Sequence, residues 1–250
     1  MGLRSDGNTE ETGLPELFLG SRSLLNFDRA VGLEWIVTNG LGGYSSSTVL
    51  NINTRKYHGL LVAALNPPVT RHLLLAKIHE EVEVGDNKYP LHSTEFKDGI
   101  HPDGYKKLVS FGLHPVPTFY YSVSGLYLKK RVFMPYMKNA VIVQYEILNT
   151  LNEPAVLSLR PLVNSRHFQD VTDGHRGHIE FVQKPIPNGT ILEAQPSPTH
   201  LALSCNDGHY STEKGVWVEE VYFRVDDSRG ESCLDDNYLP GVFTIDIDPI

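Results

Sequence analysis

The chain has 250 residues, of which 40% are hydrophobic and 21% are charged, and its formal net charge is −8 at pH 7. This composition predicts a packed core and excludes an intrinsically disordered chain. The negative charge argues against a nucleic acid or an anionic membrane surface as partner, because both need a basic face, and no apolar run approaches the ~18 residues of a membrane span.

Residues 1–20 are predicted to form a flexible N-terminal arm, because polar residues and glycine dominate the beginning of the chain. The arm has neither the basic n-region nor the apolar h-region of a signal peptide. The two cysteines, Cys205 and Cys233, are too few for a disulfide framework in a chain of this length. These features favour a reducing compartment, and the expected location is cytoplasmic.

Residues 21–250 are predicted to form a single all-β domain, a large two-sheet antiparallel sandwich (super-sandwich) with little helix. Short apolar runs separated by Gly, Pro, Asn or Asp are typical of such folds, and no segment keeps a 3.6-residue apolar period over about twelve positions. The predicted strands are Leu33–Thr38, Thr48–Ile52, Gly59–Leu65, His72–Lys77, Glu80–Val84, Leu108–Leu113, Thr118–Val123, Leu126–Met134, Ala140–Asn149, Ala155–Val163, Ile179–Gln183, Ile191–Ala194, His200–Asn206, Val216–Val225 and Val242–Ile247.

Turn residues and alternation add detail to this pattern. The segment Ala140–Leu148 alternates, so that Val141, Val143, Tyr145 and Ile147 are expected on one face and Gln144 and Glu146 on the other. Hairpins are predicted at Gly85-Asp86-Asn87, at Ser124-Gly125, from Asn149 to Pro154, and at Asn188-Gly189.

The most unusual stretch of the chain runs from Glu34 to Gly59. It contains Asn39-Gly40-Leu41-Gly42-Gly43-Tyr44, then Ser45-Ser46-Ser47, and later Asn53-Thr54-Arg55-Lys56-Tyr57-His58-Gly59. Glycine allows positive φ and close backbone approach, and the Asn, Arg, Tyr and His side chains offer planar hydrogen-bonding groups. The stretch therefore predicts a tight turn beside a polar cluster. It does not predict a nucleotide-binding loop, because the G-x-G-x-x-G spacing is missing and β-type residues follow.

Two interpretations of the polar cluster remain open. If residues 53–59 are extended, Arg55 and Tyr57 share one face while Lys56 and His58 share the other. An Arg beside a Tyr can hold sugar hydroxyl groups or pair with a carboxylate of a neighbouring domain. In the structural interpretation, the glycines only form the turn, and Arg55 and His58 hold loops in place by hydrogen bonds.

Residues 39–44 and 53–61 resemble the signature of the N-terminal domain of bacterial and archaeal glycogen debranching enzymes, the amylo-α-1,6-glucosidase family. The segments Arg160–His167 and Tyr238–Phe243 fit the same family more loosely, so the resemblance extends from about Leu24 onward. It implies a large β-sandwich that precedes a helical (α/α) barrel carrying the hydrolytic carboxylates. That barrel is not expected within this chain.

The resemblance implies a substrate-binding or structural domain of an enzyme that debranches α-1,4/α-1,6-glucans in glycogen breakdown. Its implied partners are the catalytic barrel and an α-glucan such as glycogen, limit dextrin or a malto-oligosaccharide. The alternatives are a free-standing carbohydrate-binding or sugar-isomerising β-sandwich and a purely structural domain without ligand. The residues expected nearest the glucan or the interdomain seam are Asn39, Arg55, Tyr57, His58, Arg166 and His167.

No catalytic residue, metal ligand or cofactor is predicted for the chain itself. Glycoside hydrolysis needs two carboxylates roughly 5–9 Å apart, whereas adjacent strand residues point to opposite faces. The histidines and aspartates of residues 160–178 match no standard zinc spacing and are interpreted as a solvated or substrate-facing loop. Solvated strand edges or turns are the interpretation for Glu80-Glu81, Glu219-Glu220, Asp226-Asp227 and Asp235-Asp236.

The aromatic residues can belong to the core or stack on sugars, since every β core uses them. Trp217 is expected in the core, because it shares a strand face with Val221 and Phe223. For Tyr120, Tyr121 and Tyr127 both interpretations remain open.

Overall fold

The computed structural model describes residues 17–174, 179–196 and 199–250. The strands are β1 Leu17–Gly20, β2 Glu34–Thr38, β3 Tyr44–Thr48, β4 Gly59–Asn66, β5 Val69–Val84, β6 Asn87–Pro90, β7 Ser93–Phe96, β8 Gly99–Asp103, β9 Leu108–Leu113, β10 Pro117–Val123, β11 Leu126–Phe133, β12 Ile142–Asn149, β13 Ala155–His167, β14 Glu180–Ile186, β15 Gly189–Gln195, β16 Thr199–Ser204, β17 His209–Tyr222 and β18 Leu234–Ile247. The helical segments are single turns: α1 Ser21–Leu24, α2 Phe27–Ala30, α3 Arg224–Asp227 and a 3₁₀ turn at Gly104–Lys107.

Two large antiparallel sheets form the body of the molecule. The five-stranded sheet has the order β1-β9-β10-β11-β12, and the eight-stranded sheet has the order β17-β18-β13-β5-β4-β3-β2, with β6 paired to β5. Strands β14-β15-β16 and β7-β8 form two smaller sheets. The predicted fold class, an all-β antiparallel sandwich with little helix, is therefore confirmed.

The main core lies between the two large sheets. Phe111 and Phe119 of the five-stranded sheet are fully buried, and their ring centroids lie 5.0 Å apart. Phe119 also meets the edge of Trp35 on β2, with 6.1 Å between ring centroids. In β12 the predicted alternation is confirmed, because Val143 and its neighbours on the same face pack against this core.

Most predicted strands are present, but the strand predicted over Thr48–Ile52 is wrong beyond Thr48, where β3 ends. The hydroxyl group of Thr48 donates to the carbonyl of Ile52 and accepts from its N–H group. Asn51 has a φ of 56°, so the chain turns after β3 instead of extending. The apolar residues that suggested a strand are buried in this turn. The two strands predicted at 72–77 and 80–84 are one continuous strand, β5.

Three of the predicted hairpins are present, and the one at residues 149–154 is not. Ser124 and Gly125 both have positive φ in the turn between β10 and β11, as a two-residue hairpin requires. Strands β12 and β13, however, belong to different sheets. The side-chain amide of Asn149 donates to the carbonyls of Glu153 and Ile247, which holds the chain where it crosses between the sheets.

The interpretation of the acidic pairs as solvated is wrong for one or both members of three pairs. Glu80, Asp226, Asp235 and Asp236 are all buried. Glu80 accepts hydrogen bonds from Lys130 and Tyr145, at 2.5 and 2.9 Å. Asp236 accepts from the backbone of Gly174 and Glu220. The partners come from distant strands and loops, so no local sequence pattern could reveal them.

The predicted N-terminal arm and the predicted polar loop are described only in part. The last four residues of the arm form β1, which pairs with β9. Residues 1–16 of the arm and residues 175–178 of the polar loop lie outside the described residues.

Trp217, which is expected in the core, packs against Tyr238 and Phe181, with 5.5 and 6.1 Å between ring centroids.

Candidate functional site

The glycine-rich motif lies on the face of the eight-stranded sheet that points away from the main core. Successive strand residues point to opposite faces, so Val62 lies across the sheet from Leu61 and Ala63, which belong to the main core. Val62 belongs to a smaller apolar cluster with partly buried Tyr44 and Phe168 at its edge. The motif is built over this second cluster.

Asn39 organises the glycine loop between β2 and β3. Its side chain is fully buried, and its Oδ1 accepts hydrogen bonds from the N–H groups of Leu41 and Gly43 at 2.9 and 3.0 Å. Its Nδ2 donates to the carbonyl of Lys138 and to Oδ1 of Asn139. Every hydrogen-bonding group of this amide is thus used within the protein, so Asn39 shapes the loop.

Glycine is required at position 42 for two reasons. The φ of Gly42 is +98°, and a Cβ atom there would lie 2.5 Å from the carbonyl oxygen of Pro68. The carbonyl oxygen of Gly42 also accepts a 2.7 Å hydrogen bond from Nε of Arg71. The glycine loop is therefore packed closely against the β4–β5 hairpin.

The segment 53–58 contains a turn at residues 55–58, so the condition of an extended segment, under which Arg55 and Tyr57 would share a strand face, is not met. The N–H group of His58 donates to the carbonyl of Arg55 at 3.0 Å. Arg55 and Tyr57 nevertheless meet as predicted, since Nη1 of Arg55 donates to the Tyr57 hydroxyl at 3.1 Å and its guanidinium lies 5.6 Å from the ring centroid. The turn, rather than strand alternation, brings the two side chains together.

Glu34 holds Arg55 and His58 from the neighbouring strand β2. Its Oε1 lies 2.5 Å from Nε of Arg55 and 3.6 Å from Nε2 of His58. The interaction with His58 lowers the pKa of Glu34 to about 2, with Arg55 acting in the same direction and burial opposing both. Nδ1 of buried His58 accepts a hydrogen bond from the N–H group of Thr54, so its proton is on Nε2 and faces Glu34. Nothing local in the sequence marked Glu34 as a partner of the motif.

Arg166 of β13 connects its strand to the segment 53–58 inside the protein. It is buried, and its guanidinium contacts both carboxylate oxygens of Asp235 at 2.9 to 3.3 Å. Nη2 also donates to the carbonyl of Lys56 at 2.7 Å. Burial raises the pKa of Asp235, and the charge of Arg166 opposes that effect. Arg166 is therefore an internal clamp between β13, β18 and the loop at 53–58.

His167 lies next to this clamp but points to a different group of side chains. Its ring centroid is 4.8 Å from that of Phe168 and 6.3 Å from that of His72. The guanidinium of Arg71 lies 5.7 Å from the centre of the Phe168 ring. Through Arg71, this aromatic group is continuous with the glycine loop.

The six predicted residues thus fall into two classes. Asn39, His58 and Arg166 are buried anchors, whereas Arg55, Tyr57 and His167 are half-buried. Tyr44, Arg71 and Phe168 are half-buried too and extend the same surface; the Tyr44 hydroxyl donates to the carbonyl of Tyr57, and burial raises the Tyr44 pKa. We call this surface the loop face; its residues are Tyr44, Arg55, Tyr57, Arg71, His167 and Phe168.

The loop face combines aromatic rings with fixed guanidinium donors. Such a surface suits a ligand that has apolar faces and many hydroxyl groups, or a partner that offers carboxylates. A cavity lined in part by His58, Lys77 and Asp235 measures only about 20 Å³. That volume admits a water molecule but no sugar, so a ligand would have to bind to the outer surface.

The described ranges contain neither a cluster of metal-ligating side chains nor a membrane-spanning helix. Among those residues, no group of three or more His, Cys, Asp and Glu could hold a metal ion. None of the helices found there has the length and apolarity needed to cross a membrane.

Residues 33–250 match a family model described as glycogen debranching enzyme N terminal. The match includes the glycine loop, the turn at 53–58, Arg166 and Asp235, which together build the loop face and its anchors. No curated protein matches the chain.

Proposed function

We propose, given that this chain belongs to the family of glycogen debranching enzyme N-terminal domains, that its loop face binds the α-glucan substrate of such an enzyme. The observation that carries the proposal is the pair Arg55 and Tyr57. Arg55 makes hydrogen bonds through Nε and Nη1, and a guanidinium has further N–H groups. Glu34 holds the guanidinium in a fixed orientation, and the Arg55 side chain remains 18% exposed.

The fixed orientation matters because binding costs entropy when a long side chain must be ordered. Arg55 is already ordered by Glu34, and Tyr57 by its contact with Arg55 and by the Tyr44 hydroxyl bond to its carbonyl. The loop face therefore offers preorganised donors next to aromatic rings, as glucose rings and their hydroxyl groups require.

A second candidate role is contact with a catalytic helical barrel. The buried anchors favour it: Asn39, His58 and Arg166 use their polar atoms mainly within the protein, which stabilises a rigid surface of fixed shape. Arg55 and Arg71 could then pair with carboxylates of the partner domain. In both roles the chain itself does not hydrolyse glucan. Its carboxylates Glu80, Asp226 and Asp235 are buried against internal partners, which supports this part of the proposal.

The test is isothermal titration of maltoheptaose into the 250-residue chain and its Arg55→Ala variant. Loss of a hydrogen bond from a charged donor should weaken binding by about ten-fold or more. Lys88→Ala is the control, since Lys88 is an exposed cation in the hairpin between β5 and β6. Equal affinity in all three proteins would refute glucan binding by the loop face. If Lys88→Ala weakens binding as well, the effect comes from net charge, and glucan binding by the loop face is again refuted.

A further inference from the structure

The outer face of the five-stranded sheet contains an open depression on the opposite side of the sandwich from the loop face. Its volume is about 490 Å³, within the range of roughly 300–1,000 Å³ that is usual for small-ligand sites. Its lining includes Val109, Tyr120, Tyr127, Lys129, Glu146 and Leu148.

Strand register places these side chains in two neighbouring rows. Tyr120 lies opposite Lys129, which lies opposite Glu146. In the next row, Tyr127 lies opposite Ser122 on one side and Leu148 on the other. Residues two apart on a strand share a face, so both rows point outward, away from the main core.

The apolar part of this surface is exposed. Tyr127 is 51% exposed, Leu148 45% and Val109 42%. Within the described part of the chain, the hydroxyl group of Tyr127 makes no hydrogen bond, and its ring takes part in no ring stacking or cation–π contact. Exposed apolar groups clustered in a depression with a polar rim are typical of binding surfaces.

The charged groups of the rim are already paired with one another. Glu146 contacts Nζ of Lys129 at 3.2 Å and Nη1 of Arg131 at 2.6 Å. The ammonium of Lys129 lies 6.0 Å from the centre of the Tyr120 ring. An ionic ligand would have to break these pairs, whereas an uncharged ligand would leave them intact and could accept hydrogen bonds from the cations.

We propose that this depression is a second α-glucan-binding surface, separate from the loop face. The choice of ligand class rests on the proposed function; the site itself rests on the geometry. The rings of Tyr120 and Tyr127 contact the apolar faces of glucose units, and Lys129 donates hydrogen bonds to their hydroxyl groups. Two separate glucan surfaces on one chain would increase retention on a branched polymer, because the second contact is intramolecular.

The experiment compares glycogen affinity and maltoheptaose titrations for the 250-residue chain and three variants. Tyr127→Ala should raise the dissociation constant for glycogen by about five-fold or more, and Tyr127→Phe should not, because the ring carries the contact. Val182→Ala is the control, since Val182 is a 42% exposed apolar residue of β14 that lines neither surface. The melting temperature of each variant should equal that of the original chain.

The outcomes separate this site from the loop face. Weaker binding in Tyr127→Ala supports the second site whether or not Arg55→Ala has an effect, so the proposed function can fail alone. Unchanged binding in Tyr127→Ala refutes the second site, even if Arg55→Ala weakens binding. Sedimentation analysis tests the alternative that the depression binds a second copy of this chain. A dimer of the original chain that Tyr127→Ala dissociates, with unchanged glucan binding, would show a protein interface and refute the proposal.

Discussion

At the scale of single residues, the motif separates side chains that build the loop from side chains that face outward. Asn39 and Arg166 are buried and satisfied within the protein, whereas Arg55 and Tyr57 are ordered by neighbours and only partly buried. A substitution therefore has different consequences in the two classes. We expect changes to the anchors to lower stability and, if the proposed function holds, changes to the outward residues to weaken binding.

Asn39→Ala should lower the free energy of unfolding by about 2–4 kcal/mol. The substitution leaves the N–H groups of Leu41 and Gly43 without their shared acceptor in a buried loop. Urea titration of both proteins measures the difference. Asn66→Ala is the control, because Asn66 is exposed at the end of β4; an Asn39 variant as stable as this control would contradict the anchoring role.

Lys130→Met should destabilise the protein by about 3–5 kcal/mol, because it leaves the buried carboxylate of Glu80 without its cation. Adding Glu80→Gln should recover part of that loss, since the buried charge is then removed. Thermal or urea unfolding of the single and double variants measures the coupling. A double variant less stable than Lys130→Met alone would disprove this account of the pair.

At the scale of elements, two loops are fixed against the eight-stranded sheet by contacts distant in sequence. The glycine loop binds Arg71 of β5 through the Gly42 carbonyl. The turn at 53–58 binds Arg166 of β13 through the Lys56 carbonyl, and Asp226 of α3 through the Lys56 N–H group. These contacts give the loop face its shape, so a change in loop backbone should act on both stability and binding.

Gly42→Ala should destabilise the protein by more than about 1 kcal/mol, because it adds both a strained φ and a steric clash with Pro68. Gly230→Ala separates the two effects. Gly230 also has a positive φ, +72°, but a Cβ atom there meets no heavy atom within 4 Å. The difference between their urea midpoints measures the clash, and equal midpoints would contradict close packing of the glycine loop.

At the scale of the whole molecule, the interior contains ionisable groups whose charge states affect stability. His79 and His92 stack with 3.8 Å between ring centroids. Burial lowers the pKa of His92 to about 4 and lowers that of His79 well below its usual value, with nearby Lys77 and Arg160 adding to the effect. Burial also lowers the pKa of Lys77 to about 7.

Stability should therefore fall as the pH decreases from 6.5 towards 4. In this window the unfolded chain binds protons at histidines that stay neutral when folded, and each such histidine costs about 1.4 kcal/mol per pH unit. Lys77 changes its charge mainly above this window. Urea midpoints at several pH values measure the slope. The double variant His79→Gln/His92→Gln should have a smaller slope, and an unchanged slope would refute the assignment.

The strands could be predicted from the sequence because alternation and turn residues are local signals. Strand β9 has the predicted ends, and Ser124-Gly125 forms the predicted turn. The partners of the motif could not be predicted, since they are distant in sequence: Lys56 and Arg166 are 110 residues apart. Local patterns likewise could not show that Glu34 would hold Arg55, or that Asp235 would be buried against Arg166.

The most direct test of the central claim, that the loop face binds α-glucan, is to map maltoheptaose contacts by nuclear magnetic resonance. Amide chemical shifts are followed during titration of the isotope-labelled chain. We predict that the largest shifts occur at Arg55, Tyr57, His167 and Phe168, whose side chains are half-buried on the loop face. Saturable binding with no shift at any of these four residues would contradict the claim.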